Sequence, residues 1–155
     1  MLILDAATER ALEAHARSGY PHEVCGLLVG RIEAPGARRV MEAKQAANLN
    51  RERAADRYDL DPADYLRIEN EARARRLEVL GVYHSHPDHP SRPSETDRQR
   101  AEEIWQEAES WSYLILEVAA GVVASRRSWV LRGRVFQEEE IRVETSSAER
   151  QTCLS

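Results

Sequence analysis

The fold is predicted from one segment of the sequence, Tyr83-His84-Ser85-His86-Pro87-Asp88-His89-Pro90-Ser91-Arg92-Pro93-Ser94-Glu95-Thr96-Asp97. The apolar run 79–83 leads into this segment and is typical of the end of a buried strand. Side chains at i and i+2 of a strand point to the same face, so His84 and His86 project together, about 6.5 Å apart along the chain. Two imidazoles placed in this way can share one metal ion.

Three prolines between positions 87 and 93 determine where the next regular element begins. Proline disfavours a helix interior and a central strand, so that element begins no earlier than about Ser94, and Asp97 lies in its first turn. A catalytic zinc site takes three nitrogen or oxygen side-chain ligands and leaves the fourth tetrahedral position to water. The two histidines and Asp97 fit that description.

Two interpretations without a metal remain open at this point. A His-x-His pattern on a strand is also found as a packed pair with no ligand role. The pattern Ser94-x-x-Asp97 also matches a helix capping box, in which the carboxylate lies favourably at the helix N-terminus. The capping and catalytic interpretations are compatible, because a serine that orders the helix start can still direct its hydroxyl towards a metal-bound water.

These residues resemble the JAMM (MPN-plus) zinc metalloprotease motif, His-x-His-Pro followed by Ser-x-x-Asp. The chain has His84-Ser85-His86-Pro87, ten residues between His86 and Asp97, and Ser94 three places before that aspartate. The family also has an upstream glutamate, and the context 21–30, Pro-His-Glu-Val-Cys-Gly-Leu-Leu-Val-Gly, singles out Glu23. The resemblance implies that His84, His86 and Asp97 hold zinc (Zn²⁺), that Glu23 is the general base and that Ser94 stabilises the oxyanion.

The resemblance also implies a function, a zinc-dependent hydrolase of amide or isopeptide bonds that cleaves after the C-terminal Gly-Gly of a ubiquitin-like protein. The short chain shows no long insertion, which favours the prokaryotic type and a sulfur-carrier protein as its partner. A non-catalytic or weakly catalytic MPN-type scaffold domain is the alternative. A cytidine deaminase is disfavoured, because the chain has no H-x-E followed by P-C-x-x-C.

Composition limits the other classes of function. With 155 residues, of which 42% are hydrophobic, the chain is long enough for one globular domain. The net charge of −5 and the interspersed basic residues argue against nucleic acid as a partner. The most apolar run, 114–124, is too short to cross a membrane, so we expect a soluble, cytoplasmic protein. Cys25 and Cys153 form no CxxC pair, which suits a reducing compartment.

The rest of the sequence predicts an α/β fold in which a mixed, curved sheet is flanked by helices, with a domain over 1–145 and a disordered tail over 146–155. Helices are predicted over 5–18, 62–76 and 94–109, and strands over 24–31, 39–47, 78–86, 111–119, 125–131 and 134–143. The resemblance to the JAMM family implies this same class of fold, which is related in architecture to the cytidine deaminases.

Several residues outside the motif receive specific predictions. The first helix is predicted from alanines that recur at 7, 11 and 14 with Leu12 and His15 beside them, and the second runs with apolar residues at 66, 68 and 72. In the third, positions 101, 104, 105 and 108 are expected to form a stripe that faces the core. The acidic cluster 138–140 is expected on a solvated edge or turn. Cys25 and His15 are interpreted as structural residues, and His22 and His89 as solvated or outer residues. The arginines of the polar loop 48–58, at 51, 53 and 57, are expected to be solvated or to contact substrate.

Overall fold

The computed structural model describes residues 1–104 and 110–145. Within these ranges the elements follow in the order β1 (Leu2–Asp5), α1 (Ala6–Gly19), β2 (Cys25–Ala34), β3 (Ala37–Ala46), α2 (Pro62–Ala74), β4 (Glu78–Pro87), α3 (Glu95–Ile104), β5 (Ser112–Ala119), β6 (Val122–Arg132), β7 (Val135–Glu139) and β8 (Ile141–Glu144). Helices and strands alternate in the first two thirds and strands dominate the last third, which confirms the predicted α/β class.

The strands form one mixed sheet in the order β7-β6-β5-β4-β2-β3-β1-β8. Strand β4, which carries both motif histidines, lies inside the sheet, parallel to β5 and antiparallel to β2. Strands β2 and β3 form the predicted antiparallel hairpin. Strand β1 was not predicted, and it pairs in parallel with β3 and β8. The histidines are therefore held by neighbouring strands on both sides.

The sheet must curl, because its two edge strands, β7 and β8, follow each other in the sequence. Only Glu140 separates β7 from β8, so the chain passes directly from one edge of the sheet to the other. The Leu2 N–H donates to the Glu140 carbonyl at 2.8 Å, and Arg38 on β3 pairs with Glu139 on β7 at 3.5 Å. The predicted mixed, curved sheet is confirmed.

The acidic cluster 138–140 differs from its prediction at one position. The side chain of Glu139 is only 6% exposed, whereas Glu138 and Glu140 are exposed. Glu139 pairs with the buried Arg38 and accepts a hydrogen bond from the Ser128 hydroxyl at 2.7 Å. The prediction of a solvated edge or turn is therefore wrong for Glu139, because the curl of the sheet brings a cation from β3 against it.

Helices cover both faces of the sheet. On one face, Leu12 of α1 packs in a cluster that includes Leu80 of β4, and on the other, Ile68 of α2 packs in a cluster that includes Val82. Fully burying a leucine or isoleucine contributes roughly 1.5–3 kcal/mol to folding. Because alternate strand residues point to opposite faces, His84 lies on the same face as Val82, the α2 face.

The face of α1 that contacts the core contains Leu12 and not the periodic alanines. The alanines at positions 7, 11 and 14 are not buried, whereas Thr8, Leu12 and Ala16 are. The helix begins as predicted, since the Asp5 carboxylate accepts a hydrogen bond from the Thr8 N–H at 2.6 Å. An alanine-rich helix offers small apolar residues on several faces, so the alanine period does not identify the core side, whereas the larger Leu12 does.

The other two helices confirm their predicted starts. Asp61 accepts from the Ala63 N–H at 2.9 Å, with Pro62 at the first helical position. In α2, Ile68 and Ala72 are buried, whereas Leu66 lies off the buried face and is 57% exposed. In α3, Ala101 is buried. Positions 105–109 and 146–155, with Cys153 and the predicted tail, lie outside the described residues, and the side chain of Ile104 is likewise not described.

None of the helices in the described ranges is both long enough and apolar enough to span a bilayer.

Candidate metal centre and catalytic cleft

Strand β4 brings the two motif histidines together as predicted. His84 is 1% exposed and His86 is 5% exposed, and their Nε2 atoms lie 2.9 Å apart. The i, i+2 spacing on one face of a strand produces this approach directly. The Nε2 atoms of the two rings therefore point into the same small volume at the end of β4.

The Pro90 carbonyl fixes the tautomer of His86. His86 Nδ1 lies 2.7 Å from the Pro90 oxygen, which can only accept a hydrogen bond, so Nδ1 carries the proton. The other nitrogen, Nε2, is then left with a lone pair, which is the state that a metal ligand needs. The loop after β4 thus orients a histidine of the strand that precedes it.

This loop, residues 87–94, is itself anchored to the neighbouring strands. The Asp88 carboxylate accepts hydrogen bonds from the Tyr20 hydroxyl at 2.8 Å and from a backbone N–H of the β5–β6 turn at 3.0 Å. Further along, the Trp129 indole donates to the Ser91 carbonyl at 3.0 Å, and the hydroxyls of Ser91 and Ser125 share a hydrogen bond of 2.8 Å. The carbonyl that orients His86 is therefore held from both ends of the loop.

Asp97 and Ser94 form the capping box that the sequence pattern predicted. The Ser94 N–H donates to Asp97 Oδ2 at 2.8 Å, and the Asp97 N–H donates to Ser94 Oγ at 3.1 Å. The same carboxylate also faces the histidines, with Oδ1 3.4 Å from His84 Nε2 and Oδ2 3.3 Å from His86 Nε2. Capping and ligand geometry thus coexist, and the exposed Ser94 hydroxyl keeps its hydrogen for another acceptor.

These three side chains fit a metal ion. Their ligand atoms all lie within 4.8 Å of one another. Zinc forms bonds of about 2.0–2.2 Å, so two ligand atoms around a tetrahedral ion are roughly 3.3–3.6 Å apart. The distances of 3.4 Å from Asp97 Oδ1 to His84 Nε2 and 3.3 Å from Oδ2 to His86 Nε2 fall in that range, each from a different carboxylate oxygen, and the His–His separation is slightly shorter. The group can therefore hold an ion of this size with small adjustments.

The electrostatics of the three residues also suit metal binding. Burial alone would raise the pKa of Asp97, but His84 and His86 hold it well below its usual range, so Asp97 is ionised. Burial lowers the pKa of His84, which keeps that imidazole neutral. Burial would also lower the pKa of His86, but Asp97, the Pro90 carbonyl and Glu23 together raise it. A proton on His86 is therefore the main competitor for a metal.

Glu23 lies just before β2 and is 5% exposed. Its N–H donates to the Ala54 carbonyl at 2.5 Å, and its own carbonyl accepts from the Asn48 side-chain amide at 3.0 Å. The next residue, Val24, donates its N–H to the Ser85 hydroxyl at 2.9 Å, which fixes the segment beside β4. These bonds hold the carboxylate close to the histidines.

Burial raises the pKa of Glu23 to about 8, His86 opposes this rise, and the charges of Asp97 and Asp56 add to it. A cation at the neighbouring ligand set would favour the ionised form and lower this pKa again. A carboxylate whose pKa lies near neutrality is suited to accept a proton and to return it.

Glu23, His86 and Ser94 are among the residues that line one cleft of about 420 Å³. From the polar loop, Arg53 and Arg57 reach this cleft, and His89 also lines it. A second cavity of about 450 Å³, more apolar, lies beyond Tyr58 and contains none of the predicted site residues. Of the predicted site residues, Glu23, His86 and Ser94 thus line the first cleft, while His84 and Asp97 adjoin it through their contacts with His86.

Other residues near the site have the roles that their surroundings allow. Cys25 is buried in the core, and His15 contacts the Tyr83 hydroxyl at 2.8 Å on the opposite face of the sheet, so both structural interpretations are confirmed. The sequence did not predict that the side chains of Tyr58 and Arg100 lie near His84. The Tyr58 ring stacks on His84 with centroids 4.5 Å apart, and the Arg100 guanidinium lies over the Tyr58 ring, 5.7 Å from its centroid. No spacing in the sequence marks this stack.

Residues 5–132 match the family model of prokaryotic homologs of the JAB domain. The chain belongs to this family. It is 34% identical over 149 residues to a desampylase of Haloferax volcanii, covering 92% of this chain and 96% of that one. It is 31% identical over 103 residues to the CysO-cysteine peptidase of Mycobacterium tuberculosis, covering 66% of this chain and 67% of that one.

Solved structures agree with this family membership. A protein of Desulfitobacterium hafniense superposes with a TM-score of 0.79 at 30% identity, covering 94% of each chain. A JAB1/MPN domain protein of Archaeoglobus fulgidus shares the fold, with a TM-score of 0.56 at 17% identity, covering 93% of this chain and 97% of that one. The resemblance to the JAMM family is thereby confirmed, and the named relatives support hydrolysis as the class of activity.

Proposed function

We propose that this protein is a zinc-dependent hydrolase of amide or isopeptide bonds that cleaves after the C-terminal Gly-Gly of a small ubiquitin-like sulfur-carrier protein. One observation carries the proposal, which is that His86, grouped with His84 and Asp97 as a possible metal site, lines the same cleft as the buried carboxylate of Glu23. The ligand set leaves room for a fourth, non-protein ligand, which is typical of a catalytic metal site.

Each residue has a distinct part in this proposal. His84, His86 and Asp97 hold the ion, and a bound zinc ion supplies Lewis acidity and lowers the pKa of water to about 7. Glu23 accepts the proton of the attacking water and delivers it to the leaving amine. Ser94 donates its hydroxyl hydrogen to the oxyanion, a contribution whose loss costs on the order of 10²–10³ in rate in other hydrolases.

The relatives support the choice of substrate. Their names describe one protein that removes a ubiquitin-like modifier and one that acts on a CysO-cysteine conjugate. A Gly-Gly tail has no side chains to recognise, so we expect a narrow groove and main-chain pairing to an extended segment of the enzyme. We place this reaction in the cytoplasm, where a reducing environment keeps a thiol such as that of Cys25 free.

Zinc content and product analysis together test the proposal. Protein purified with zinc and held at about pH 8, where the histidines are deprotonated, should contain one zinc ion per chain. A carrier protein extended beyond its Gly-Gly by a short segment should then be cut after the second glycine, as read by mass spectrometry. Protein without zinc under these conditions would contradict the proposal. Zinc without cleavage of any carrier would favour the scaffold alternative.

A further inference from the structure

Among the residues that the structure describes, two arginine side chains lining the catalytic cleft make no hydrogen bond or ion pair with an acid, although the charge of Arg57 acts on Asp56. Arg53, Arg57 and Arg92 all line it. Arg53 is occupied, since its Nε donates to Asp56 at 3.2 Å and its Nη2 pairs with the same carboxylate. Within residues 1–104 and 110–145, no hydrogen bond or ion pair holds the guanidinium of Arg57 or of Arg92. Both are therefore available to a ligand.

The backbone of Arg57 is fixed beside the proposed base. The side-chain amide of Asn48 donates to the Glu23 carbonyl at 3.0 Å and also to the Arg57 carbonyl at 3.1 Å. One nitrogen thus joins the two residues, although they are far apart in the sequence. The position of the Arg57 backbone, from which its half-buried side chain extends, is therefore fixed relative to Glu23.

The backbone of Arg92 is fixed in a similar way beside the ligand set. Its N–H donates at 2.8 Å to the Pro90 carbonyl, the same oxygen that accepts the His86 Nδ1 hydrogen at 2.7 Å. The two arginines therefore come from different loops, one tied to the base and the other to a metal ligand, and both line the space between them.

The charges of the cleft favour an anionic group. The chain as a whole has a net charge of −5. The side chains that line the cleft, however, include three guanidinium groups and only two carboxyl groups, those of Glu23 and Asp56. Asp56 is already paired with Arg53. Arginine binds a carboxylate through paired hydrogen bonds, and such charge-assisted bonds are about twice as strong as neutral ones.

We propose that Arg57 and Arg92 bind the α-carboxylate of a single amino acid that leaves from the Gly-Gly tail. This inference rests on the proposed hydrolysis and names its leaving group. In such a substrate the carboxylate is attached to the Cα that carries the scissile nitrogen, so it lies about 4 Å from the scissile carbonyl carbon. It must therefore occupy the same cleft as Glu23. A lysine side chain in an isopeptide bond carries no carboxylate at that place.

The reaction balances without another reactant. Water adds its oxygen to the glycine carbonyl carbon, and the C–N bond breaks with its electron pair on nitrogen. That nitrogen takes the proton which Glu23 received from the water. The products are a carrier that ends in a glycine carboxylate and a free amino acid whose own carboxylate is held by the arginines until release.

A pair of substrates tests this inference. One carrier ends in Gly-Gly followed by one amino acid with a free carboxylate, and the other is identical except that the carboxylate is a carboxamide. The enzyme should prefer the carboxylate by about 10- to 100-fold in kcat/KM, which is the worth of a charged hydrogen bond, and mainly through KM. Arg57→Gln and Arg92→Gln should each reduce this preference, so that the ratio of the two kcat/KM values moves towards one.

The design separates the possible outcomes. Arg31→Gln, on an exposed position of β2, is the matched control and should keep the full preference. Both tested variants retain the backbone bonds to Asn48 and Pro90, and their zinc content and melting temperature show whether the fold survives. Equal cleavage of the two substrates by the unmodified enzyme would overturn the inference but not the proposed function. Cleavage of neither substrate would overturn both.

Discussion

The two sides of the cleft are held in place by different kinds of contact. The ligand side rests on β4, which is paired on both sides, and on a loop tied to neighbouring strands by hydrogen bonds from side chains. The base side depends on the loop 47–60, which has little regular structure, through the Ala54 carbonyl and the Asn48 amide. The proposed ligands are thus positioned mainly by the sheet, whereas the proposed base is positioned mainly by hydrogen bonds from this loop.

This difference predicts that mutations on the two sides of the cleft have different effects. Changes on the ligand side should remove the metal and the activity together, because the three ligands act as one unit. Changes on the base side should leave the metal bound and reduce the rate, because no base-side residue belongs to the ligand set. The following predictions test that division, beginning with the largest effect.

Replacing Asp97 by alanine should abolish stoichiometric zinc binding and reduce hydrolysis by more than about 10⁴-fold, since the loss of the metal leaves water with its pKa near 15.7 instead of about 7. His84→Ala should behave in the same way. Metal analysis and a cleavage assay measure both effects. Glu95→Ala, in the same helical turn with a side chain 64% exposed, is the control and should retain both properties. Full activity of Asp97→Ala without zinc would contradict the ligand assignment.

Replacing Asn48 by alanine should affect only the base side. The change removes the hydrogen bonds to the Glu23 and Arg57 carbonyls. We expect kcat to fall by roughly 10- to 100-fold, the cost of small misplacements of a catalytic group, while zinc stays bound. Asn70→Ala, on an exposed position of α2, should be unaffected. An Asn48→Ala enzyme with unchanged kcat would show that β2 alone positions the base.

The smallest expected effect is a difference in proton release. With its pKa raised to about 8 by burial, Glu23 is mostly protonated at pH 7 before metal binds. The charge of a bound cation lowers this pKa, so the proton leaves on binding, and zinc affinity should rise as the pH increases towards 8. Calorimetry in buffers with different ionisation enthalpies should find about one more proton released per zinc than in Glu23→Gln. An equal proton count in the two proteins would contradict the coupling between base and metal.

The difference between the ligand side and the base side also explains which parts of the site the sequence could predict. The ligand side lies within residues 84–97, where strand periodicity, prolines and a capping pattern predict the geometry locally. Glu23 is separated from His84 by two strands and a helix, so no spacing connects them, and its assignment came only from a family resemblance. Asn48 and Tyr58 act through contacts that form only after the chain has folded, and for that reason neither was predicted.

Errors in the fold have a similar origin. The hairpin β2–β3, the caps of α1 and α2 and the strand β4 follow from local patterns, and the structure confirms them. Strand β1 is only four residues long, too short for its alternation to be recognised. A run of three acidic residues resembles a solvated turn, but the sheet curls and brings Arg38 against Glu139. Each failure involves residues that are distant in sequence and close in space.

The most direct test of the central claim is the Glu23→Gln variant, measured for zinc content and for kcat on the same preparation. Glutamine preserves the size of the side chain and most of its hydrogen bonding but cannot accept the proton of water at neutral pH. We predict one zinc ion per chain and a kcat lower by roughly 10²–10⁴-fold on a carrier with a Gly-Gly extension. Loss of zinc would make Glu23 a ligand, and full activity with zinc bound would mean that another carboxylate is the base.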